Sequence, residues 1–155
     1  MSERTPLADS ELQRLIAGSL DADIGIVDLS WRAFPGAQLG GRSLQGARLQ
    51  GADIHGASCA ASNFSGADFD QALAADVDFT GATLVKAEFY EADLRRCSFR
   101  NANLVRAEFD GCDLRGADFT GADLTATDIS DCDLRGAVLP EAQRAAADLS
   151  GNREE

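Results

Sequence analysis

The fold is decided by a five-residue pattern that is clearest in residues 102–121, which read ANLVRAEFDGCDLRGADFTG. A large apolar residue recurs at every fifth position, and a small residue lies two positions before it. These centres run from Ile24 to Leu139, and only Cys59 and Ala74 are undersized. A period of five fits neither an α-helix nor a flat strand, so apolar residues could not stay on one face of either element. The chain must therefore turn a corner once per repeat, as a solenoid does.

The repeat unit A-(D/N)-(L/F)-x-G resembles the pentapeptide-repeat family. Residues 52–56 (Ala-Asp-Ile-His-Gly) and 117–121 (Ala-Asp-Phe-Thr-Gly) show it clearly, and the resemblance covers about residues 22–142. It implies an all-β fold, a right-handed quadrilateral parallel β-helix in which four repeats form one coil and each centre fills the interior. At twenty residues per coil, we expect a solenoid of about six coils, with a spacing of ~4.8 Å between coils.

Residues 1–21 are predicted to form an N-terminal tail and a helix that caps the first coil, whose open edge needs cover. Asp9 or Ser10 is the expected N-cap. The helical spacing is shown by four apolar residues, Leu12, Leu15, Ile16 and Leu20. A secretory signal is the alternative, but Asp9, Glu11 and Arg14 and the lack of a long apolar core argue against it.

The β-helix is predicted to span residues 22–141 and to be followed by a C-terminal cap and tail in residues 142–155. The five-residue register fails at Arg144, and residues 140–147 read as a short helix, with Pro140 suited to its first turn. Two roles of this segment remain open. It caps the last coil, or it pairs two chains end to end in a homodimer.

The four cysteines are predicted to be buried apolar groups. Cys59 is a centre, and the other three occupy the small inward position, namely Cys97, Cys112 and Cys132. Cys112 and Cys132 are one coil apart, so a disulfide is conceivable but not required. The chain has no C-x-x-C pair and one histidine, so we expect neither a metal site nor a cofactor. Free thiols without a targeting segment favour a cytoplasmic location.

Residues twenty apart should lie above one another, so the repeats sort into four faces. The centres of face 1 are at positions 24, 44, 64, 84, 104 and 124, and faces 2, 3 and 4 start at positions 29, 34 and 39. Phenylalanine dominates the centres of faces 2 and 4, which predicts stacked rings on two opposite walls of a filled interior. Ala74 is predicted to be a weak point in this core. Arg32 and Arg42 fall at inward positions, so the first coil is expected to be distorted, with both arginines pointing outward.

Face 2 is predicted to present an acidic strip to solvent. The strip consists of Asp68, Asp70, Glu88, Glu91, Glu108, Asp110, Asp128 and Asp131, and no Lys or Arg lies on this face after Arg48. On face 3 each outward Asp is followed two residues later by an Arg. These pairs, which predict compensated ion ladders, are Asp93–Arg95, Asp113–Arg115 and Asp133–Arg135. The charge of the rod is therefore expected to be one-sided.

The formal net charge of -12 disfavours direct binding of nucleic acid, and no apolar run is long enough for a membrane span. Carboxylates repeated along a rod imitate DNA phosphates and would be attracted to a basic DNA-binding groove. The resemblance implies the same activity, because characterised pentapeptide-repeat proteins include mimics that bind DNA gyrase or topoisomerase IV and confer quinolone resistance or protect against toxins. The acidic strip is therefore the predicted partner-binding site, with a type II topoisomerase as the most specific partner.

Three other interpretations of the sequence stay open. The acidic face serves solubility only, the rod is a scaffold or adaptor for a partner unrelated to DNA, or the chain is an accessory or immunity protein of one pathway. Catalysis is not expected, because a filled rod offers no sheltered cleft in which reactive groups could converge. His55, the only histidine, is predicted to be a solvated surface residue.

Overall fold

The computed structural model describes residues 9–17 and 26–155, and it shows a right-handed quadrilateral β-helix. Backbone pairs join residues twenty apart, always in parallel, from Asp28 with Arg48 in the first coils to Asp133 with Arg153 in the last. Hydrogen bonds between coils hold this ladder together, and the N–H of Leu49, for example, donates to the carbonyl of Asp68 (2.6 Å). The solenoid predicted from the five-residue period and the quadrilateral β-helix implied by the resemblance to pentapeptide repeats are both confirmed. The predicted helix residue Leu20 and the first centre, Ile24, lie outside the described residues.

The regular elements are short because the chain turns every five residues. In chain order they are α1 (Asp9–Ile16), β1 (Glu88–Tyr90), β2 (Glu108–Asp110), β3 (Thr127–Ser130), α2 (Glu141–Arg144) and β4 (Ala147–Asp148). Strands β1 to β4 are parallel neighbours in that order and all lie on face 2. On the other faces of the described coils, one isolated β-bridge joins each repeat to the repeat above it in the next coil. Face 2 is therefore the side with the most regular strand structure.

Stacked phenylalanine rings fill the core, as predicted. On face 2, Phe89 stacks on Phe69 and Phe109 with ring centroids 4.8 and 4.6 Å apart. On face 4, Phe99 stacks in the same way on Phe79 and Phe119, at 5.3 and 5.0 Å. The two columns meet edge-to-face across the interior, at 5.7 to 6.5 Å. Both geometries are favourable for aromatic quadrupoles, so the rings bind each other within and between coils.

Ala74 is not the weak point that the sequence suggests. The coil that contains it also contains Phe64, the only phenylalanine among the centres of face 1, on the wall opposite Ala74. The ring of Phe64 lies 5.2 Å from that of Phe69 and 6.2 Å from that of Phe79. Three rings and one alanine thus share this coil. The small centre on one wall is offset by the large centre on the other, which keeps the interior close-packed.

The N-terminal helix predicted within residues 1–21 is present as α1. Leu12 and Leu15 are 5% and 1% exposed and belong to the same hydrophobic core as the coils. The helix begins at Asp9, so both predicted N-cap residues, Asp9 and Ser10, lie in its first turn.

Among the described residues of the first coil, from Ile26 onward, the predicted distortion is not observed. Arg32 and Arg42 are partly buried. The backbone keeps its register beside them, because the N–H of Asp53 donates to the carbonyl of Arg32 and that of Asn63 to the carbonyl of Arg42 (2.9 and 2.8 Å). A long side chain at an inward position is accommodated here without a change in the main-chain ladder.

The sequence predicts that the β-helix ends at residue 141, and this boundary is wrong. The β-helix continues to Arg153. Helix α2 replaces a single repeat, and then Ala147–Asp148 pairs with Thr127–Asp128 while Arg153 pairs with Asp133. Residues 147–151 (Ala-Asp-Leu-Ser-Gly) are a regular repeat in the original register, so one irregular repeat hid the continuation. The side chain of Gln143 donates to the carbonyl of Ala122 (3.3 Å), which places α2 over the preceding coil. This contact agrees with a capping role, and the homodimer stays a prediction.

Glycine occupies many corners because the chain passes through left-handed conformations there, as at Gly51 (φ +63°) and Gly56 (φ +67°). A Cβ at Gly56 would meet no atom within 4 Å, whereas a Cβ at Gly51 would overlap the indole ring of Trp31. An alanine at Gly56 would therefore meet backbone strain alone, whereas an alanine at Gly51 would meet backbone strain and a clash with Trp31.

Substituting both glycines with alanine tests this difference. Gly56→Ala should cost about 1–2 kcal/mol of unfolding free energy from the left-handed backbone alone. Gly51→Ala should cost clearly more, because the Trp31 ring must also move. Urea denaturation measures both variants, and in a Trp31→Gly background the two costs should become equal. Equal costs in the presence of Trp31 would show that the ring does not pack on Gly51.

Candidate partner-binding surface

Parallel pairing on face 2 places one carboxylate above another in five successive coils. Because these residues are register partners, their side chains form a column that we call the carboxylate ladder. It consists of Asp68, Glu88, Glu108, Asp128 and Asp148. The other members of the predicted acidic strip flank this ladder, Asp70 and Asp110 two residues after a ladder position and Glu91 and Asp131 at the corner positions. The structure thus brings all eight predicted residues to one face and adds Asp148, which sequence analysis missed.

Outward Asp residues elsewhere have a structural task. Asp78 accepts the N–H of Thr80 (2.9 Å), and Asp123 accepts the N–H of Thr125 (3.0 Å), which stabilises the turn that follows each centre. Within the described residues, the three central ladder carboxylates accept no hydrogen bond and form no ion pair. They are Glu88, Glu108 and Asp128, and all three are exposed. Their charge is therefore not explained by the local structure.

Like charges accumulate along the ladder. The pKa of Glu88 is raised by partial burial and then by the negative charges of Asp70, Asp68 and Glu108. The pKa of Asp70 is also raised, first by partial burial and to a smaller extent by Asp68, while a hydrogen bond from the Tyr90 N–H acts against the shift. These directions are those expected for carboxylates that repel one another.

Two cations border face 2 at the corners of face 1, Lys86 and Arg106. Both are exposed, and within the described part of the chain neither forms an ion pair. They weaken the negative field along one edge of the strip without pairing with its carboxylates.

Face 3 shows the contrast, because its charges are compensated as predicted. Arg95 binds Asp93 through two hydrogen bonds of 2.7 and 2.6 Å, and its Nε lies 3.8 Å from the next carboxylate, that of Asp113. The pair within one repeat recurs in the two coils that follow, at Arg115 and Arg135, and Arg115 Nε also lies 3.8 Å from the carboxylate of Asp133. The guanidinium of Arg135, with its hydrogen bonds, lowers the pKa of Asp133 to about 2. The acidity of the rod is therefore concentrated on face 2.

Tyr90 lies in the middle of the acidic strip and was not singled out by the sequence analysis. Its side chain is 46% exposed, and its N–H donates to Asp70 Oδ1 (2.9 Å). Together with Glu88 and Glu108 these residues line a shallow notch of about 250 Å³. The position could have been found in the sequence, because Tyr90 directly follows a face 2 centre and must point outward.

The remaining candidate residues form no reactive site. All four cysteines are free and buried, and burial raises the pKa of Cys97 to about 12, which disfavours a reactive thiolate. Cys132 Sγ accepts the N–H of Cys112 (3.3 Å). His55 is exposed, as predicted, with Nδ1 2.6 Å from Asp53 Oδ1. Among residues 9–17 and 26–155, no cluster of His, Cys, Asp and Glu could hold a metal ion, and no helix is long and apolar enough to cross a membrane.

Comparison with known families agrees with this architecture. One family model, described as pentapeptide repeat region, matches residues 72–148, and a second, described as pentapeptide repeats (8 copies), matches residues 34–71. The chain therefore belongs to the pentapeptide-repeat family. No curated protein matches it in sequence.

Several solved structures resemble the chain. A pentapeptide repeat protein from the thylakoid lumen of Arabidopsis thaliana is 31% identical (TM-score 0.41). The match covers 58% of this chain and 56% of that protein. HetL, involved in heterocyst differentiation regulation in Nostoc, is 28% identical (TM-score 0.35; 92% and 78% covered). The plasmid-mediated fluoroquinolone resistance protein QnrB1 is 18% identical (TM-score 0.48; 88% and 86% covered). The chain thus spans little more than half of the thylakoid protein.

Proposed function

We propose that this protein is a non-catalytic binding module whose acidic strip docks in the DNA-binding groove of a type II topoisomerase. The observation that carries the proposal is the centre of the carboxylate ladder. Glu88, Glu108 and Asp128 are exposed, lie in successive coils and have no partner within the described residues. Away from face 2, the outward aspartates of the described residues bind turn N–H groups or arginines, as Asp78, Asp123 and Asp113 do. A column of unpaired like charges favours a partner that supplies the opposite charge.

The charge density of the strip supports imitation of DNA. The eight residues of the strip place two carboxylates in each of four successive coils. At ~4.8 Å per coil this is about one negative charge per 2.4 Å of rod, compared with one per ~1.7 Å along the axis of duplex DNA. A groove that binds duplex phosphates should therefore attract the strip, and the attraction should weaken as salt increases.

Other features of the protein fit a binding role rather than catalysis. The notches on its surface are shallow, and the potential nucleophiles among the described cysteines are buried. Membership of a family that includes DNA mimics makes DNA gyrase and topoisomerase IV the partners that we propose. The proposal also places the protein in the cytoplasm, where its thiols stay reduced. A scaffold that binds a partner unrelated to DNA would use the same strip, so the experiment must include competition with DNA.

A supercoiling assay with purified gyrase holoenzyme tests the proposal, with and without a quinolone. We expect the protein to inhibit supercoiling, or to protect gyrase from the quinolone, at micromolar concentration. Added linear duplex DNA should relieve the effect, because both ligands compete for one groove. No effect in either arm would refute the topoisomerase proposal. Binding to gyrase that DNA does not displace would refute mimicry and favour the scaffold.

A further inference from the structure

The aromatic residues of the chain divide into two groups. All eight phenylalanines are buried in the core. The only tryptophan and the only tyrosine, Trp31 and Tyr90, are 68% and 46% exposed. Tyr90 lies on face 2, and Trp31 lies at a corner of the same face. Tryptophan and tyrosine are, with arginine, the residue types enriched at the energetic centres of protein interfaces, so their shared position points to contact with a partner.

The stability of the fold does not explain Trp31. Its backbone is left-handed (φ +61°), a strained conformation for a bulky residue, at a corner where the repeats that follow have glycine. The indole ring lies across Gly51 in the next coil, yet most of its surface stays in water. Glycine at position 31 would relieve the backbone and would match the neighbouring corners.

Trp31 lies on the N-terminal side of the acidic strip, at a corner of the same face. It belongs to the same corner column as Gly51, Gln71 and Glu91, in successive coils. Three coil spacings separate it from Glu91, which is about 14 Å. At the other corner of face 2 in the same coil, between faces 1 and 2, the exposed side chain of Ile26 packs near Gly46. Face 2 therefore presents an apolar pair at its N-terminal end, then the exposed Arg48, and carboxylates from Asp68 onward.

We infer that Trp31 is the apolar anchor of the interface and that it binds an exposed apolar side chain at the border of the partner's basic groove. This inference rests on the proposed function, and it assigns different tasks to the two parts of face 2. The carboxylates attract and orient the basic groove, while burial of the indole provides affinity that salt does not screen. A second copy of this chain is the less favourable occupant, because it would bring another molecule with a net charge of -12 beside the strip.

Binding of gyrase holoenzyme to the Trp31→Gly variant tests the inference. We expect its affinity to fall about tenfold or more, while the dependence of affinity on salt concentration stays that of the original protein. Val138→Ala is the matched control, since Val138 is an exposed apolar residue (48%) on face 4, and it should bind normally. Circular dichroism and thermal unfolding should show that both variants keep the fold.

A photo-crosslinking residue at position 31 provides a second readout, with position 138 as its control. Position 31 should crosslink to gyrase and position 138 should not. Normal affinity of Trp31→Gly without a crosslink from position 31 would overturn the inference and leave the proposed function standing. Failure of the original protein to bind gyrase would overturn both. A crosslink between two copies of the chain in the absence of gyrase would also overturn it, because the occupant would then be a second copy.

Discussion

The triple variant E88K/E108K/D128K should lose its effect on gyrase and keep its fold. The three residues are the central carboxylates of the ladder, are exposed, and have no hydrogen bond or ion pair within the described part of the chain. Reversal replaces the attraction between the strip and a basic groove by repulsion at the centre of the contact. We expect no inhibition at tenfold the protein concentration at which the original chain acts. The supercoiling assay measures this directly.

A control must separate the position of the charges from the total charge. Three reversals of two charges each change the formal net charge from -12 to -6. The same change results from replacing four exposed residues away from face 2 with lysine, namely Glu141, Glu155, Leu73 and Val138. This control should still inhibit gyrase. Unchanged inhibition by the face 2 variant, or equal loss in both variants, would contradict a specific role of the ladder.

Thermal unfolding of the triple variant gives an internal check. The pKa of Glu88 is raised by partial burial and by the repulsion of neighbouring carboxylates, so its ionised form opposes folding. This opposition is present at neutral pH and disappears as the pH falls through the raised pKa. Loss of the three carboxylates should therefore not lower the thermal midpoint of the triple variant at pH 7. A large decrease would mean that the side chains support the fold, and a loss of gyrase inhibition could not then be assigned to binding.

The sequence was sufficient to predict the coils, because a period of five without insertion requires one corner per repeat and the resemblance to pentapeptide repeats implies four repeats per coil. Sorting residues by twenties also predicted the ring columns around Phe89 and Phe99, and the compensated pairs such as Asp93 with Arg95. These predictions depend only on register and on the alternation of inward and outward positions. Both are properties of a parallel ladder in which identical positions stack.

What the sequence did not predict depends on neighbours in other repeats. Asp148 was missed because α2 interrupts the pattern for one repeat before the register resumes. Ala74 was interpreted as a weak point because Phe64, which shares its coil, is ten residues earlier in the chain. The sequence also could not show that the carboxylate of Glu88 is free to bind a partner. A carboxylate that accepts a turn N–H and one that accepts no hydrogen bond occupy the same position in the repeat. Only the hydrogen bonds of the folded chain distinguish them.

Phe89→Ala should reduce the unfolding free energy by about 3–5 kcal/mol, as expected for a large-to-small change in a packed core. The ring is fully buried, stacks on Phe69 and Phe109, and meets Phe79 and Phe99 edge-to-face. Its removal would leave a cavity bounded by four rings that neighbouring coils already hold in place. Urea denaturation followed by circular dichroism measures the loss. Any effect on gyrase should follow the fraction of folded protein, because Phe89 does not reach the surface.

Phe89→Leu is the matched variant, and it should cost less than half as much. Leucine is the centre of the same column at Leu29 and Leu49, where it is fully buried, so the column accepts its shape. The comparison isolates the ring contacts from the burial of apolar volume. If Phe89→Ala cost less than about 1 kcal/mol, the surrounding coils would have to collapse into the cavity. A rod whose coils are joined by main-chain hydrogen bonds in every repeat around Phe89 should resist such a collapse, which is why we expect the full penalty.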